Sequence, residues 1–521
     1  MGEECLSAGA LRRLTPVTSR DPRVTHSSFG ALLLCFALIA GCAATPRLDG
    51  IADQNEECRA VFRAMDEEIA AAGVQDGMAA RVAGFPYLRA SRFLASYAAA
   101  PMSDAQFVEW TGRMIELGRQ AYTLELANLP VESRETLAHR LWNTGGRYSW
   151  PQPALAECTE RLAVADRADP ERRLELTRAV AVPDDYATWQ RVAGIYWLTR
   201  IPFANGVRNW HTEVLEVFAR PLERLPVIGE LRNYAPPSGG LSAAEVAAVL
   251  KRTSANALAI PDPRGADRDA LFRTFAPHFT VDTAGAADVP GELGWREDGG
   301  PAVVSRSPVI YRRLSHARYG ERVLVQLNYW IWFPERPKGV GWDILGGHLD
   351  GLLWRVTLAP DGAPWVFDTI HPCGCYHLFF PTARASLRPQ PDSLNETSFV
   401  PQSLPRLAAG ERLALRLESG THYLQRIVVE PAPAPGIVEY ALAEDDALRS
   451  LPYPGGGSRS AFRPDGIIAG SERGERWLFW PMGVPEPGAM RQWGRHATAF
   501  VGRRHFDDPW LLERYFTLER P

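Results

Sequence analysis

The sequence has no excess of charge of one sign, and this argues against one broad class of function. The 521-residue chain holds 57 Lys and Arg against 61 Asp and Glu, so its formal net charge is −4 at pH 7. Proteins that bind nucleic acid usually carry a strongly basic surface, because they neutralise phosphate groups. We therefore expect no nucleic-acid partner.

Low-complexity composition and internal repeats are also lacking. The 44 Gly and 42 Pro are too few and too irregularly placed for a collagen-like chain. Hydrophobic residues make up 46% of the sequence and aromatic residues 10%. A chain of this length and composition can bury large cores, and we expect it to form several domains.

Familiar motifs for nucleotide binding and hydrolysis are missing after residue 42. We find no G-x-S-x-G elbow, no Walker A loop, no G-x-G-x-x-G fingerprint, no H-E-x-x-H pair and no C-x-x-C-H site. Each of these motifs places a nucleophile, a phosphate cradle, a metal or a haem in a defined local structure. Their absence argues against phosphoryl transfer and nicotinamide redox chemistry.

One short apolar run, at residues 31–40, indicates where the protein resides. Ten residues are about half of what a helix needs to cross a bilayer, so the run is typical of a signal peptide. It ends in Leu-Ile-Ala-Gly-Cys at residues 38–42, which resembles the lipobox of bacterial lipoproteins. The resemblance implies cleavage before Cys42 and acylation of Cys42, with an ordinary secretory signal as the alternative. Ala43 and Ala44 after the cysteine favour the periplasmic face of the outer membrane.

Export leaves four cysteines in an oxidising compartment. Cys58 and Cys158 lie in stretches with helical spacing, and we predict a disulfide that joins them. Cys373 and Cys375 lie close together in a different region, and three interpretations stay open for them. They could bind a metal, form a strained or redox-active disulfide, or remain small core residues.

The apolar spacing changes along the chain and predicts an α+β fold. Apolar residues recur at threes and fours up to about residue 219, and their aromatic stripes are typical of a core. Strand patterns with turns between them dominate from about residue 271, including a hairpin at Asp361-Gly362. We predict an α-helical domain followed by an antiparallel, sandwich-like β domain. The predicted segments are a signal peptide at 1–41, the α-helical domain at 42–232, a linker with a short helix at 233–265, the β-rich domain at 266–440 and a mixed extension at 441–521.

Several local patterns predict where helices begin. Ser103 precedes one helical run, and Ser242 with Glu245 forms a capping box before another. Asp508 followed by Pro509 predicts a terminal helix with Asp508 as its N-cap.

Residues that bind metals are concentrated between positions 346 and 377. The predicted ligands are His348, Asp350, His371, Cys373, Cys375 and His377. Residues at i and i+2 of a strand share a face, so His348 and Asp350 are expected to chelate one ion together. Pro372 and Gly374 predict a bend that would fold the following ligands inward. The pattern predicts a divalent transition-metal site with zinc favoured.

A second resemblance concerns the β-rich region. The sequence Gln-Leu-Asn-Tyr-Trp-Ile-Trp-Phe-Pro at 326–334, then Gly347-His348 and a Trp strand at 354–358, resembles Vps62-like and necrosis-inducing NPP1-like β-sandwich proteins. The resemblance covers about 100 residues, and the His-Asp-Trp-Glu core of the NPP1-like heptapeptide is absent from this chain. It implies a β-sandwich and cation binding by His348 and Asp350.

Arginine and tryptophan alternate near the C-terminus, between residues 473 and 505. Such a cluster suits glycan or lipid head-group binding, because Arg and Trp supply stacking and bidentate contacts. Packing at a domain junction is the alternative, and we favour it.

Together these patterns predict a lipid-anchored envelope protein that binds a metal and serves as a binding or envelope-maintenance protein. Its partners would be the membrane, through the lipid anchor, and an envelope glycan or protein. The alternative is a metal-dependent hydrolase that acts on an envelope glycan, peptide or lipid. In that mechanism Asp350 or Asp343 would be the base, and Arg355 would stabilise the oxyanion.

Overall fold

The computed structural model describes residues 49–144, 150–304, 307–391, 393–407, 411–430 and 436–519. The chain from Asp49 onward forms one compact unit. The predicted signal peptide and Cys42 lie outside the described residues.

The helices lie mainly in the first half of the chain. Within the described residues they are α1 (Asp49–Ala71), α2 (Arg92–Ala95), α3 (Asp104–Ala127), α4 (Val131–Asn143), α5 (Pro151–Ala168), α6 (Pro170–Ala179), α7 (Thr188–Ala193), α8 (Tyr196–Ala219), α9 (Ala243–Thr253), α10 (Gly265–Phe275), α11 (Arg476–Phe479) and α12 (Leu511–Tyr515). None of these helices is both long enough and apolar enough to cross a bilayer, as judged over the described ranges.

Most strands lie in the second half and pair antiparallel, so the fold is α+β. They are β1 (Ala80–Val82), β2 (Phe85–Ala90), β3 (Glu230–Ala235), β4 (His278–Thr283), β5 (Glu292–Trp295), β6 (Pro301–Val304), β7 (Val309–Tyr319), β8 (Arg322–Arg336), β9 (Gly347–Leu358), β10 (Pro364–Ile370), β11 (Leu378–Pro381), β12 (Ala385–Leu387), β13 (Arg412–Leu417), β14 (Leu424–Glu430), β15 (Val438–Glu439), β16 (Ala441–Glu444), β17 (Leu451–Pro452), β18 (Ser458–Arg459) and β19 (Phe516–Leu518).

Two larger sheets pack face to face around one hydrophobic core. The first has the order β11-β10-β9-β8-β7-β16, and the second has the order β14-β13-β4-β3-β15. Tyr329 and Ile331 of the first sheet and Leu415 and Val281 of the second belong to the same buried cluster. Three strand pairs are parallel, namely β13 with β4, β15 with β3 and β16 with β7. The arrangement is therefore a sandwich of mixed but mostly antiparallel sheets.

Strand β8 is apolar on both faces because both faces are covered. Alternate residues such as Ile331 and Phe333 point into the core between the sheets. Trp330 and Trp332 point to the opposite face and pack in a second cluster with Trp493 of the C-terminal segment. The C-terminal residues therefore fold back onto the outer face of the first sheet.

Two of the three predicted helix starts are confirmed, and so is the hairpin. Ser103 and Ser242 each cap a helix in a full capping box, at the starts of α3 and α9. The turn at Asp361-Gly362 joins β9 to β10, and Gly362 takes the positive φ of 85° that the turn requires. The predicted disulfide between Cys58 and Cys158 is present and joins α1 to α5.

Two local predictions are wrong. The start of the predicted linker, at residues 233–235, is the end of strand β3, which pairs with β4. The terminal helix begins at Leu511 with Trp510 at its N-cap. Asp508 accepts a hydrogen bond from the backbone N–H of Trp510 at 2.9 Å, so it closes the turn before the helix.

Candidate functional site

Helix α8 covers two neighbouring cavities and is itself little buried. Of its 24 residues, Ala204 and Phe218 are the buried ones. Trp210 on this helix packs against Tyr376, with ring centroids 5.2 Å apart. Helix α8 therefore lies on the surface of the β sandwich, and the space between the helix and the sandwich is only partly filled.

The larger cavity has a volume of about 560 Å³, within the range of small-molecule sites. Its apolar wall includes Phe203 of α8, Phe479, Val484, Ala497 and Phe500. Its polar lining residues include Cys375, Tyr376, His377, Glu396, Glu475 and Arg504. A few polar groups in an aromatic wall are the usual composition of a site for an organic ligand.

The smaller cavity has a volume of about 250 Å³ and lies beside the larger one. Its lining includes His371, Leu352 and Thr369, which do not line the larger cavity. The two cavities share the lining residues Trp210, Glu213, Tyr376 and Tyr423. The rings of Tyr376 and Tyr423 are 4.7 Å apart at their centroids, and these rings form part of the wall where the cavities meet.

The loop after β10 holds its side chains between these cavities. The backbone N–H of His371 donates to the carbonyl of Cys375 at 3.0 Å, and the N–H of Gly374 donates to the carbonyl of His371 at 2.8 Å. Gly374 has a φ of 92°, and a Cβ there would lie 2.4 Å from the carbonyl oxygen of Ala497. Only glycine fits this position. The bend predicted at Pro372 and Gly374 is confirmed.

A buried ionic network lies directly behind the smaller cavity. We call it the Asp350 network, and its members are Asp288, Asp350, His371, His422 and Arg473. Asp350 Oδ2 lies 2.8 Å from Nδ1 of His422, and Asp350 Oδ1 lies 3.1 Å from Nη2 of Arg473. His371 Nδ1 lies 3.4 Å from Asp350 Oδ1, and His422 Nε2 lies 3.5 Å from Asp288 Oδ1. The network thus couples two carboxylates through one imidazole.

Burial and charge set the protonation states in the network. Burial alone would raise the pKa of Asp350, but the Arg473 guanidinium and the hydrogen bonds to both histidines hold it well below its ordinary value. Burial lowers the pKa of His371 below its ordinary value, although Asp350 opposes the shift. The pKa of His422 is raised, because its hydrogen bonds to Asp288 and Asp350 outweigh the effect of burial. At neutral pH, Asp350 is an anion and His371 is a neutral base.

Backbone strain is concentrated at the same place. Leu349, Tyr376 and His422 have positive φ values of 57°, 61° and 52°. Non-glycine residues rarely adopt this conformation, and it costs of order 1 kcal/mol or more at each position. Each of the three belongs to the network, adjoins it or lines the cavities in front of it. The surrounding packing therefore fixes this region in a strained geometry, as functional sites often are.

Two carboxylates of the larger cavity also have shifted pKa values. Burial raises the pKa of Glu475 to about 7, against the opposing effect of Arg473. Burial likewise raises the pKa of Glu396, which accepts hydrogen bonds from the backbone N–H groups of Phe500 and Val501. Glu475 can therefore donate or accept a proton near neutral pH.

The structure does not gather the six predicted metal ligands into one site. His348 Nε2 lies 2.6 Å from the carbonyl oxygen of Pro301, away from the Asp350 network. His348 and Asp350 have different hydrogen-bond partners, so the expectation that they chelate one ion together stays a prediction. His377 Nε2 bonds to Asp368 at 2.9 Å, in a separate buried group.

The two nearby cysteines are free thiols. Cys373 is buried in the apolar cluster behind the first sheet, and Cys375 lines the larger cavity. The hydrogen bond between the Cys375 thiol and Cys373, together with burial, raises the pKa of Cys375 well above its ordinary value. Across the described ranges, no group of three or more His, Cys, Asp and Glu side chains is arranged to hold a metal ion. The predicted zinc site therefore stays a prediction, and we derive no chemistry from a metal.

Both remaining residues of the predicted hydrolase have structural roles. Asp343 accepts hydrogen bonds from the backbone N–H groups of Gly339, Leu345 and Gly346, so it closes its own loop. Arg355 is buried and donates to Asp368 at 2.8 Å, with its guanidinium 3.6 Å from the centroid of the Phe506 ring. The guanidinium beside Asp350 belongs instead to Arg473.

Most side chains of the C-terminal arginine and tryptophan cluster that we compared are buried, in agreement with the favoured alternative of packing. Arg473, Arg491, Arg504 and Trp493 are buried, whereas Trp477 is exposed. Arg491 donates to the carbonyls of Cys373 and Glu486, and Arg504 donates to those of Thr397 and Thr498.

The sequence analysis missed Asp288, His422, Glu475 and Trp210. No spacing rule links Asp350 to His422, because 72 residues separate them in the chain. Trp210 was part of an aromatic pattern that predicted core packing, and it lines a cavity instead. Comparisons with protein families, with curated proteins and with solved structures found no match for this chain.

Proposed function

We propose that this protein binds a lipid-like molecule, with an apolar chain and a small polar head, in the two cavities beneath α8. The observation that carries the proposal is the aromatic cavity of about 560 Å³ under a helix that is itself mostly exposed. The lipobox resemblance supports a location in the cell envelope, where such molecules are abundant. The protein would then be an envelope-anchored binding protein.

The polar residues of the larger cavity suit the head of such a ligand. Glu475 has a pKa near 7 and can donate or accept a hydrogen bond. Arg504 lies 3.7 Å from Glu396, and this pair gives a second polar contact point. The apolar chain would lie along Phe203 and Trp210, because burial of aromatic and aliphatic surface supplies most of the binding free energy.

The test is the binding of N-phenyl-1-naphthylamine, an apolar dye that fluoresces in a dry cavity. Residues 43–521 contain the whole compact unit and serve as the test protein. We expect saturable fluorescence that oleate displaces. Val207 is half-buried on α8 and lines the larger cavity, so Val207→Trp should fill it and reduce dye affinity at least tenfold.

The matched control is Val164→Trp, the same change at an exposed position of α5. This variant should bind the dye like the parent protein. Equal dye binding by the parent and both variants would refute a ligand site beneath α8.

A second candidate function is ester hydrolysis, and the Asp350–His371 pair favours it. Asp350 is held as an anion at Nδ1 of His371, which leaves Nε2 on the opposite edge of the ring, and the ring lines the smaller cavity. An oriented neutral imidazole is a general base. His371 would take a proton from water while the water oxygen attacks the ester carbonyl. The departing alcohol oxygen would then take that proton from His371, leaving a carboxylic acid and an alcohol.

The hydrolase candidate is tested with p-nitrophenyl butyrate and two matched histidine variants. His371→Gln should lower kcat at least 100-fold, because general-base catalysis contributes 10²–10⁴-fold. His348→Gln is the control, since His348 bonds to the carbonyl of Pro301 and lines neither cavity beneath α8. Equal rates for both variants would exclude His371 as the base and leave the binding function alone.

A further inference from the structure

Six large apolar side chains are exposed around the larger cavity. Trp197 and Ile201 belong to α8, Val340 and Trp342 to the loop before β9, and Trp477 and Leu478 to α11. Trp342 is fully exposed, and Trp477 and Trp197 are more than 70% exposed. We call these six residues the aromatic rim. A soluble surface rarely leaves so much aromatic area in water without a partner.

Direct contacts bring these three segments together at one place. Phe203 of α8 packs on Phe479 of α11 with ring centroids 5.3 Å apart. The backbone N–H of Glu475 donates to the carbonyl of Ile344 at 3.0 Å, which joins the loop before β9 to α11. Leu345, Leu478 and Phe203 all line the larger cavity. The rim therefore surrounds this cavity.

The charge close to the exposed rim residues is mainly positive. From residue 186 to residue 212 the sequence has three Arg and no acidic residue. Exposed Lys338 and half-buried Arg476 lie in the other two segments. Asp343 bonds to three backbone N–H groups and Glu475 is buried in the cavity wall, whereas Glu213 and Glu335 are exposed.

We propose that the aromatic rim docks on the surface of an anionic lipid bilayer and that the ligand passes between the bilayer and the cavity. Tryptophan is enriched at membrane interfaces, where its ring lies among the head groups. Arginine and lysine beside it attract anionic lipids electrostatically. A protein partner would not require exposed tryptophans on three separate segments to surround a ligand cavity. The passage of ligand rests on the proposed function, whereas the docking of the rim does not.

The test is co-sedimentation of residues 43–521 with 100-nm vesicles. One set contains phosphatidylethanolamine and phosphatidylglycerol, and the other contains phosphatidylcholine alone. We expect binding to the anionic vesicles that weakens at high salt. The double variant Trp342→Ala/Trp477→Ala should lower the partition coefficient at least tenfold, because it removes two exposed tryptophans of the rim. Neither residue lines either of the two cavities beneath α8.

The matched control is Trp142→Ala/Trp150→Ala, which removes two exposed tryptophans of the helical half. It should bind vesicles like the parent protein. Equal vesicle binding by the two double variants, or no binding by the parent, would overturn the proposal. Rim-dependent dimerisation in size-exclusion chromatography without vesicle binding would also overturn it, in favour of a second copy as the occupant.

Dye binding separates this proposal from the function it extends. The rim variant should bind N-phenyl-1-naphthylamine like the parent, which also shows that it is folded. Val207→Trp should lose the dye and keep vesicle binding. Loss of dye binding in the rim variant would contradict the separation of rim and cavity.

Discussion

The Nδ1 atom of His422 lies 2.8 Å from Oδ2 of Asp350, and the His422 ring stacks on Phe333 with centroids 3.8 Å apart. His422 also faces Asp288 on its other edge, with Nε2 3.5 Å from Oδ1. One buried imidazole thus connects β9 with the turn before β14 and with the segment after β4. This contact holds Asp350 in place behind His371 and the smaller cavity.

Removal of His422 should therefore destabilise the fold strongly. His422→Gln leaves two buried carboxylates without their shared cation, and we expect a loss of about 3–5 kcal/mol in the free energy of unfolding. Urea denaturation at pH 6 measures it. His348→Gln is the control, because it removes only one hydrogen bond to a backbone carbonyl and should cost about 1 kcal/mol. Equal losses would contradict the role of His422.

The same contact predicts a pH window. The folded-state pKa of His422 is raised, so its stabilisation is complete below 6.5 and is lost as the pH rises through the folded-state value. The folded-state pKa of Asp350 is lowered, so its stabilisation is present above 3.8 and is lost as the pH falls. The stability difference between the parent and His422→Gln should be largest between pH 3.8 and 6.5. A difference that grows above pH 8 would contradict these directions.

Glu475 should make the protein less stable as the pH rises. Its folded-state pKa of about 7 exceeds its ordinary value of 4.5, so its contribution is lost between those two pH values. Glu475→Gln cannot ionise and should gain about 3 kcal/mol relative to the parent at pH 8. Unfolding by urea from pH 4.5 to pH 8 tests this. Parallel pH profiles for the parent and the variant would show that Glu475 ionises normally.

The disulfide between Cys58 and Cys158 should stabilise the helical half. It closes a segment with a sequence separation of 100 residues, and such crosslinks contribute about 2–5 kcal/mol. We expect Cys58→Ala/Cys158→Ala to lower the unfolding free energy by that amount. Cys373→Ala/Cys375→Ala is the comparison, since these thiols form no crosslink. An unchanged unfolding curve for the first variant, with and without reductant, would contradict this prediction.

The thiol of Cys375 should react slowly in the folded protein. Its pKa is raised well above the ordinary value, so little thiolate forms at pH 8. Iodoacetamide followed by peptide mass spectrometry should label Cys375 at least 100-fold faster in urea than in the native state. Rapid native labelling would support the redox interpretation of Cys373 and Cys375.

Local patterns in the sequence predicted much of the fold. Ser103 and Ser242 each lie three residues before a side chain that completes a capping box. Such short-range contacts can be recognised from the sequence. The turn at Asp361-Gly362 and the strand alternation of β8 are equally local. The Cys58–Cys158 pairing could be predicted because, of the four cysteines after residue 42, two lie in helical stretches and two in a separate region.

The site could not be predicted in the same way. Asp350 meets His422 and Arg473 through sheet packing, and contacts across 72 and 123 residues leave no spacing signature. Leu349 has a positive φ, and nothing in the sequence around it predicts that conformation. The helical period around Trp197 shows that the segment is apolar on one side but does not show what covers it. The structure leaves this tryptophan exposed.

The central claim is a lipid-like ligand beneath α8, and the most direct test is to identify what the protein carries. Residues 43–521 would be exported to a periplasm, purified without detergent, extracted with organic solvent and analysed by mass spectrometry. We predict a single class of lipid-like compound at close to one molecule per chain in the parent protein and in Val164→Trp, and a loss of at least tenfold in Val207→Trp. Extracts that are empty for the parent, together with dye binding that Val207→Trp leaves unchanged, would contradict the account.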